Sequence, residues 1–156
     1  MSDRVAVMNE GRVIQCGVPE EVYERPREEF VAGFIGVSNL LEGVVEDGGR
    51  VRLANGELVP APLPEDCAVG TRVNLSVRPE KIAVDEWVED GMVSFDATVE
   101  ARVYLGVMTQ ITVSIGNGSH LVALEQATYR SSAEDRWDPG TRVRIGWNPE
   151  HCLVLR

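Results

Sequence analysis

Apolar residues come in short runs along the 156-residue chain, and the period of those runs changes once, near residue 40. Before that point, Val5-Ala6-Val7-Met8 and Arg12-Val13-Ile14-Gln15 flank Asn9-Glu10-Gly11. Two β-prone runs about a turn ending in glycine predict a hairpin over residues 4–16, because glycine best tolerates positive φ. Pro19 suits the first position of a helix, and Glu20 and Glu21 put negative charge at its positive end. That helix ends before Pro26, where a second is expected to begin. There Phe30/Phe34 and Val31/Ile35, each four residues apart, form one apolar stripe with Gly36 as its stop.

From Leu40 onward the helical period disappears. Short alternating runs at 41–45, 50–53, 57–59, 72–77 and 82–84 are divided by Asp47-Gly48-Gly49, Asn55-Gly56 and a proline-rich stretch at 60–64. A second set follows at 95–104, 108–115, 120–125, 141–147 and 152–155. Ten strands at this spacing predict a mainly β fold built from small barrels or a sandwich. The expected division is a hairpin plus two helices over 1–39 and a β-barrel domain over 40–156.

The β region also repeats itself. Residues 70–84 align without gaps with 140–154, and seven of the fifteen positions are identical: Gly, Thr, Arg, Val, Pro, Glu and Val. Each copy reads as strand, tight Pro-Glu turn, strand, so the expectation is two similar hairpins forming a pseudo-symmetric unit. Tyr104-Leu105-Gly106 reads as a corner, with Gly106 allowing a bulge or sharp bend.

Composition narrows the function classes. A net charge of −10 repels phosphate backbones, so nucleic acid is not an expected partner. Cys16, Cys67 and Cys152 are widely spaced and fit reduced structural thiols. His120 and His151 have no partner at metal-ligand spacing, so no metal site is expected. Neither a membrane-length apolar run nor a leader pattern is present, which points to a soluble, cytoplasmic chain. Lys81 is the one lysine and follows Pro79-Glu80. A phosphate-cradling loop needs a lysine after a glycine-rich turn, so none can be assembled here. No catalytic arrangement follows from spacing, and no catalytic residue is assigned.

The order Ser2-Asp3-Arg4, hairpin, Pro19-Glu20-Glu21-Val22-Tyr23, then Phe34-Ile35-Gly36-Val37-Ser38-Asn39-Leu40 resembles the end of the ATP-binding subunit of ABC importers. There the nucleotide-binding domain hands over to a C-terminal accessory domain, and the junction is most similar to the polyamine (spermidine/putrescine) or ferric-iron branch. The repeat with its Arg78-Pro79-Glu80 step resembles the TOBE domain, a pair of interleaved oligonucleotide-binding-type (OB-fold-like) barrels; Asn148 departs from the pattern in the second copy. The resemblance implies a non-catalytic regulatory and dimerisation domain at the inner face of the membrane. Its implied partners are a second copy of itself (homodimer), a nucleotide-binding domain and membrane permease subunits. ATP and Mg would belong to the full-length subunit, with no cofactor in this chain, whose first 39 residues would be a remnant of the nucleotide-binding domain.

Candidate ligand or interface residues are Arg78, Glu80, Tyr104, Gly106 and Glu150, with Arg78 expected to form an intramolecular ion pair. Phe30, Phe34 and Ile35 are the junction-packing candidates. An alternative is a small-ligand sensor, for an oxyanion or the transported solute, at the Gly106 corner, as molybdate-binding relatives of the domain suggest. A weaker alternative is an oligonucleotide-binding module, which the acidic charge disfavours. Trp87 and Trp137 would mark a contact surface if exposed, between charged loops at 85–91 and 131–136.

Overall fold

The computed structural model describes residues 2–116, 118–126 and 137–155; the charged segment 131–136 lies outside them. Strands β1 (Val5–Asn9) and β2 (Arg12–Gly17) form the expected hairpin, followed by helices α1 (Pro19–Glu24) and α2 (Glu29–Phe34). Val7, Val22 and Val31 are buried together, with Val5, Ile14 and Ile35 packed against them. Gln15 of β2 is buried and its side chain ties down the bend after α1: Nε2 donates to Arg25 O at 3.0 Å and Oε1 accepts from Arg27 N at 2.9 Å. Helix α2 starts three residues later than expected, and its apolar stripe divides. Val31 and Ala32 turn inward, whereas Phe30 and Phe34, one position round the helix, face solvent and stack at 5.7 Å. A helix this short presents only one narrow face to the hairpin, so adjacent stripes cannot both be covered.

Among the described residues ten strands follow in two curled antiparallel sheets. They are β3 (Asn39–Glu46), β4 (Arg50–Leu53), β5 (Leu58–Pro60), β6 (Arg72–Val77), β7 (Ala83–Val84), β8 (Val93–Tyr104), β9 (Met108–Ile115), β10 (Ser119–Gln126), β11 (Arg142–Trp147) and β12 (Cys152–Leu155). One sheet runs β12-β6-β3-β4-β5, the other β10-β9-β8-β11-β7. Read from opposite ends, the two orders assign the same roles, and the registers agree. Val154 opposes Leu75 as Val84 opposes Ile145, and Leu41 opposes Leu75 as Phe95 opposes Ile145.

The repeat is therefore real but is not a pair of hairpins. The strands of each copy enter different sheets: β6 pairs with β12, and β11 with β7. The cause is the Pro-Glu step, which forms a 3₁₀ turn at Pro79–Lys81 and again at Pro149–His151. Proline fixes φ and supplies no N–H, so the chain corkscrews onward instead of folding back. Gly70 and Gly140 open the two copies at φ 86° and 91°, and their amides donate to Val45 O and Val99 O at 2.9 and 2.8 Å.

Exchanged strands leave one core for both sheets, including Leu41, Leu75, Val77, Val84, Phe95, Ile111, Leu121, Ile145 and Trp147. Phe95 and Trp147 stack there at 5.2 Å. Asn39 joins the sheets. Its Nδ2 donates to Val77 O (3.1 Å) and Val122 O (2.8 Å), and its Oδ1 accepts from Val122 N at 2.6 Å. On β10 the half-buried Glu125 accepts a hydrogen bond from the Val84 amide, bringing β10 to β7 and curling that sheet towards closure. No described helix is long and apolar enough to cross a membrane.

Two predictions follow from this core. Burial pushes the Cys152 thiol up to about 12, while Cys16 is exposed; only the thiolate reacts. Mass spectrometry after brief alkylation at pH 8 should find Cys16 modified and Cys152 untouched until denaturant is added. Burial, aided by the Asp85 charge and opposed by the Val84 amide, raises the Glu125 carboxyl above its ordinary range. An acid raised in the folded state favours folding below its unfolded pKa and loses that contribution as pH rises through the folded pKa. The Tm of Glu125→Gln relative to the parent chain should therefore move upward between pH 4 and pH 7.

Candidate functional site

Arg78 follows the last residue of β6 and precedes Pro79, and the proline restricts it to extended backbone, φ −70° and ψ 142°. Its side chain is thereby carried off the sheet towards both helices, where the residue is only 5% exposed. Nη1 donates to Ala32 O at 3.2 Å and Ile35 O at 2.9 Å, and Nη2 donates to Tyr23 O at 2.7 Å. The guanidinium carbon lies 4.1 Å from the centroid of the Tyr23 ring. Tyr23 O and Ala32 O belong to the last turns of α1 and α2, and Ile35 is the residue that caps α2; such terminal carbonyls have no partners within their helices and carry the negative end of the helix dipole. One planar cation thus caps two helices, which a lysine could not do with the same geometry.

Among the described residues the expected ion pair of Arg78 is not formed; its partners there are backbone carbonyls and an aromatic face. Glu80, beyond the turn, accepts from the Tyr23 hydroxyl at 2.8 Å. Burial first, then the Glu80 hydrogen bond and charge, hold the Tyr23 phenol above its ordinary range, with Arg78 opposing them. Asn74 Nδ2 donates to Glu29 Oε2 at 3.1 Å, and the Ser38 and Ser76 hydroxyls meet at 3.2 Å. Gly36 turns the chain around this clamp at φ 88°, where an added Cβ would lie 3.6 Å from Tyr23 and 3.9 Å from Arg78.

The other candidates fall elsewhere. Glu150 is exposed, 3.9 Å from His151 Nε2, on a turn whose Asn148 Oδ1 accepts from Glu150 N at 3.2 Å. The two copies of the repeat therefore diverge in reach: Arg78 extends to the helices, whereas Asn148 folds back on its own turn. Tyr104 and Gly106 sit at the tip of the β8–β9 hairpin. Gly106, at φ 90°, closes that turn, and the bulge lies instead between Val99 and Ala101. Among the described residues nothing stands within 4 Å of an added Cβ at Gly106. Ile35 packs on the small core, while Phe30 and Phe34 face outward. Trp87 is exposed; Trp137 is buried, with Nε1 3.4 Å from Asp85 Oδ2.

Open grooves of about 690 and 600 Å³ occupy equivalent places on the two sheets. Asp96, Thr98, Arg142 and Arg144 line one; Glu42, Val44, Arg72 and Asn74 line the other. Among the described residues no three His, Cys, Asp or Glu side chains converge as a metal site would require. The residues that sequence reasoning left without a role are Tyr23 and Asn39. The available signal for Tyr23 was the Arg-Pro-Glu step itself, whose basic and acidic flanks lack a matched pair in the second copy.

Arg78→Ala should lower the unfolding free energy in urea by about 2–4 kcal/mol, since one buried and two part-buried carbonyls lose their donor. It should also expose residues 19–35 to limited proteolysis, with Arg78→Lys recovering only part of the loss.

Comparison with known proteins places these features in a family. The TOBE domain family matches residues 75–155, the stretch from β6 to β12. The Spermidine/putrescine import ATP-binding protein PotA of Rubrobacter xylanophilus is 44% identical over 161 residues, covering 99% of this chain and 41% of the relative. Its counterpart from Thermobifida fusca is 39% identical over 160 residues, with the same 99% and 41%. The chain thus spans about two fifths of the length of these relatives. In fold it is similar to the cytoplasmic molybdate-binding protein ModG, solved with molybdate bound, at TM-score 0.63 and 15% identity, covering 74% of this chain and 94% of that one. With exchanged strands in two matched sheets and a family match across the whole second half, the chain belongs to the TOBE domain family.

Proposed function

We propose that the chain is the C-terminal accessory module, with its junction, of the ATP-binding subunit of an ABC importer for spermidine- or putrescine-like polyamines. The observation that carries this is the Arg78-Tyr23-Glu80 clamp. It ties a hairpin-and-helix layer to the barrels within a stretch that aligns over 99% of its length with polyamine-import ATP-binding proteins. In this reading residues 1–39 belong to the nucleotide-binding body and 40–156 form the accessory domain. ATP and Mg would be held by the rest of the subunit. Exposed Met8, Val13, Phe30 and Phe34 offer an apolar surface for that body. Membrane permease subunits and a second ATP-binding subunit would be the further partners, with the module at the cytoplasmic face of the membrane.

The module's contribution is mechanical. Because the clamp fixes the helices to β6, a displacement of the barrels is delivered to the nucleotide-binding body as a rigid movement. A ligand or partner that prefers one barrel arrangement biases the motor by that preference and no more. The ferric-iron reading is not favoured, since the relatives described above carry the spermidine/putrescine name. A second reading, sensing of a small anion, draws on the shared fold with a molybdate-binding protein and on Arg142 and Arg144 in one groove.

The test is a chimera in which this chain replaces the matching two fifths of the Rubrobacter relative, reconstituted with that relative's permease. ATP-driven spermidine uptake should be supported. Arg78→Ala should lower uptake per ATP hydrolysed by about fivefold or more, the scale of a typical coupling energy. A chimera that hydrolyses ATP without moving spermidine would overturn the assignment, and an unchanged uptake-to-hydrolysis ratio in Arg78→Ala would overturn the role of the clamp. A thermal shift with molybdate or sulfate but not spermidine would favour the sensor.

A further inference from the structure

Asn39 breaks the correspondence between the two halves of the β unit. It opposes Val77 on β6 as Val93 opposes Trp147 on β11, so the equivalent place in the second half holds a buried valine. An apolar side chain therefore satisfies the sheet at this position, and the amide of Asn39 serves something that the first half alone has. The difference lies in the strand it meets. β10 has eight residues, whereas β5, its counterpart in the first half, has three.

Among the described residues β10 forms a ladder with β9 alone and stands at the end of its sheet. At Val122 its other edge is filled by one side chain: Asn39 Oδ1 accepts from Val122 N, and Nδ2 donates to Val122 O. A neighbouring strand would offer Val122 one C=O and one N–H, and a carboxamide carries the same pair. The second Nδ2 proton goes to Val77 O, directly before Arg78. Asn39 is itself positioned from the clamp. Arg78 holds Ile35 O, Gly36 turns the chain, and Ser38 Oγ lies 3.2 Å from Ser76 Oγ. The 3₁₀ turn at Pro79–Lys81 also packs against β10, so the clamp meets the second sheet by two routes, one hydrogen-bonded and one packed.

We propose that the Asn39 carboxamide is the joint that makes the second sheet answer to the Arg78 clamp, standing in for a neighbouring strand at Val122. With the amide in place, β10 cannot leave without stripping partners from Val77 O, Val122 O and Val122 N, so it opens only together with β6 and the helices. A side chain able to make none of these bonds turns β10 into an ordinary edge strand, which belongs to the low-stability end of a fold. Displacement of the second sheet by a partner or ligand then no longer reaches the helices, because coupling is carried by contiguous groups that hold one discrete arrangement. This deepens the proposed function by naming where the second barrel is connected to the motor. It rests on that reading for its physiological setting alone, and the test below reads amide exchange, so it can fail while polyamine import stands.

The test is native-state hydrogen exchange on the full 156-residue chain, comparing Leu121 and Ala123 on β10 with Leu75 on β6. In the parent these amides should share one opening. In Asn39→Leu the β10 amides should exchange about tenfold faster or more, with Leu75 changed far less. A second arm closes a cycle with Arg78→Ala. That change should speed β10 and Leu75 alike in the parent, whereas in Asn39→Leu it should speed Leu75 and leave β10, which has its own opening, unmoved. Asn39→Ser fits the same space and can make one of the three bonds; it should fall between, and it gives the same reading where the leucine variant fails to fold. Parent-like protection of β10 in Asn39→Leu overturns the proposal, because packing alone then holds the strand. So does equal acceleration of β10 and Leu75, the mark of uniform destabilisation. A response of β10 to Arg78→Ala that is the same in both backgrounds overturns it too, since the signal then passes through the packed turn at Pro79–Lys81.

Discussion

A buried guanidinium is expensive, because removing a charge from water costs several kcal/mol even after relaxation. Arg78 offsets that cost with backbone carbonyls at 2.7, 2.9 and 3.2 Å, two helix C-termini and one aromatic face. The dependence is mutual. Helices α1 and α2 have six residues each, far below the length at which an isolated helix is stable in water. They hold their form because Val22 and Val31 pack on the hairpin and because their last carbonyls have a donor. The placement of Tyr23, Glu80, Gly36 and the entry of β3 follows from that one side chain.

The clamp would transmit little if the barrels behind it were loose. Exchange of β7 and β12 between the sheets prevents this, since neither half can open without withdrawing the other's edge strand. Asn39 adds a polar stitch in an apolar core, and each atom of its amide is used. An unsatisfied group there would cost more than the bonds themselves contribute. Arg78 stands at the end of β6, which lies between β12 and β3, so the clamp is anchored on an interior strand rather than on an edge.

Much of this was legible in the residues. The alternating runs located every strand, and the hairpin and two helices lie close to where turn and proline signals put them. The 70-residue repeat marked the pseudo-symmetry. Pairing was not legible, because a repeat says which segments are alike and not which are neighbours. A strand-turn-strand pattern suggests a hairpin unless the Pro-Glu step is read as a 3₁₀ turn. Phe30 and Phe34 misled for a related reason: period identifies an apolar stripe but not which of two adjacent stripes finds a partner. Arg78 drew notice through its Arg-Pro-Glu motif, but carbonyl oxygens carry no side-chain signature, so the partners it has in the fold could not be read from composition or spacing.

The central claim is that helices and barrels form one cooperative body through Arg78. Native-state hydrogen exchange under mild denaturant tests it most directly, because it assigns an opening free energy to each segment. The amides of Val22, Ala32 and Ile35, hydrogen-bonded within the two helices, should exchange through the same opening, at the same free energy, as those of Leu75 and Val77 on β6. Exchange of the helical amides through a separate opening, lower by about 2 kcal/mol or more, would contradict the account and make the helices an appendage.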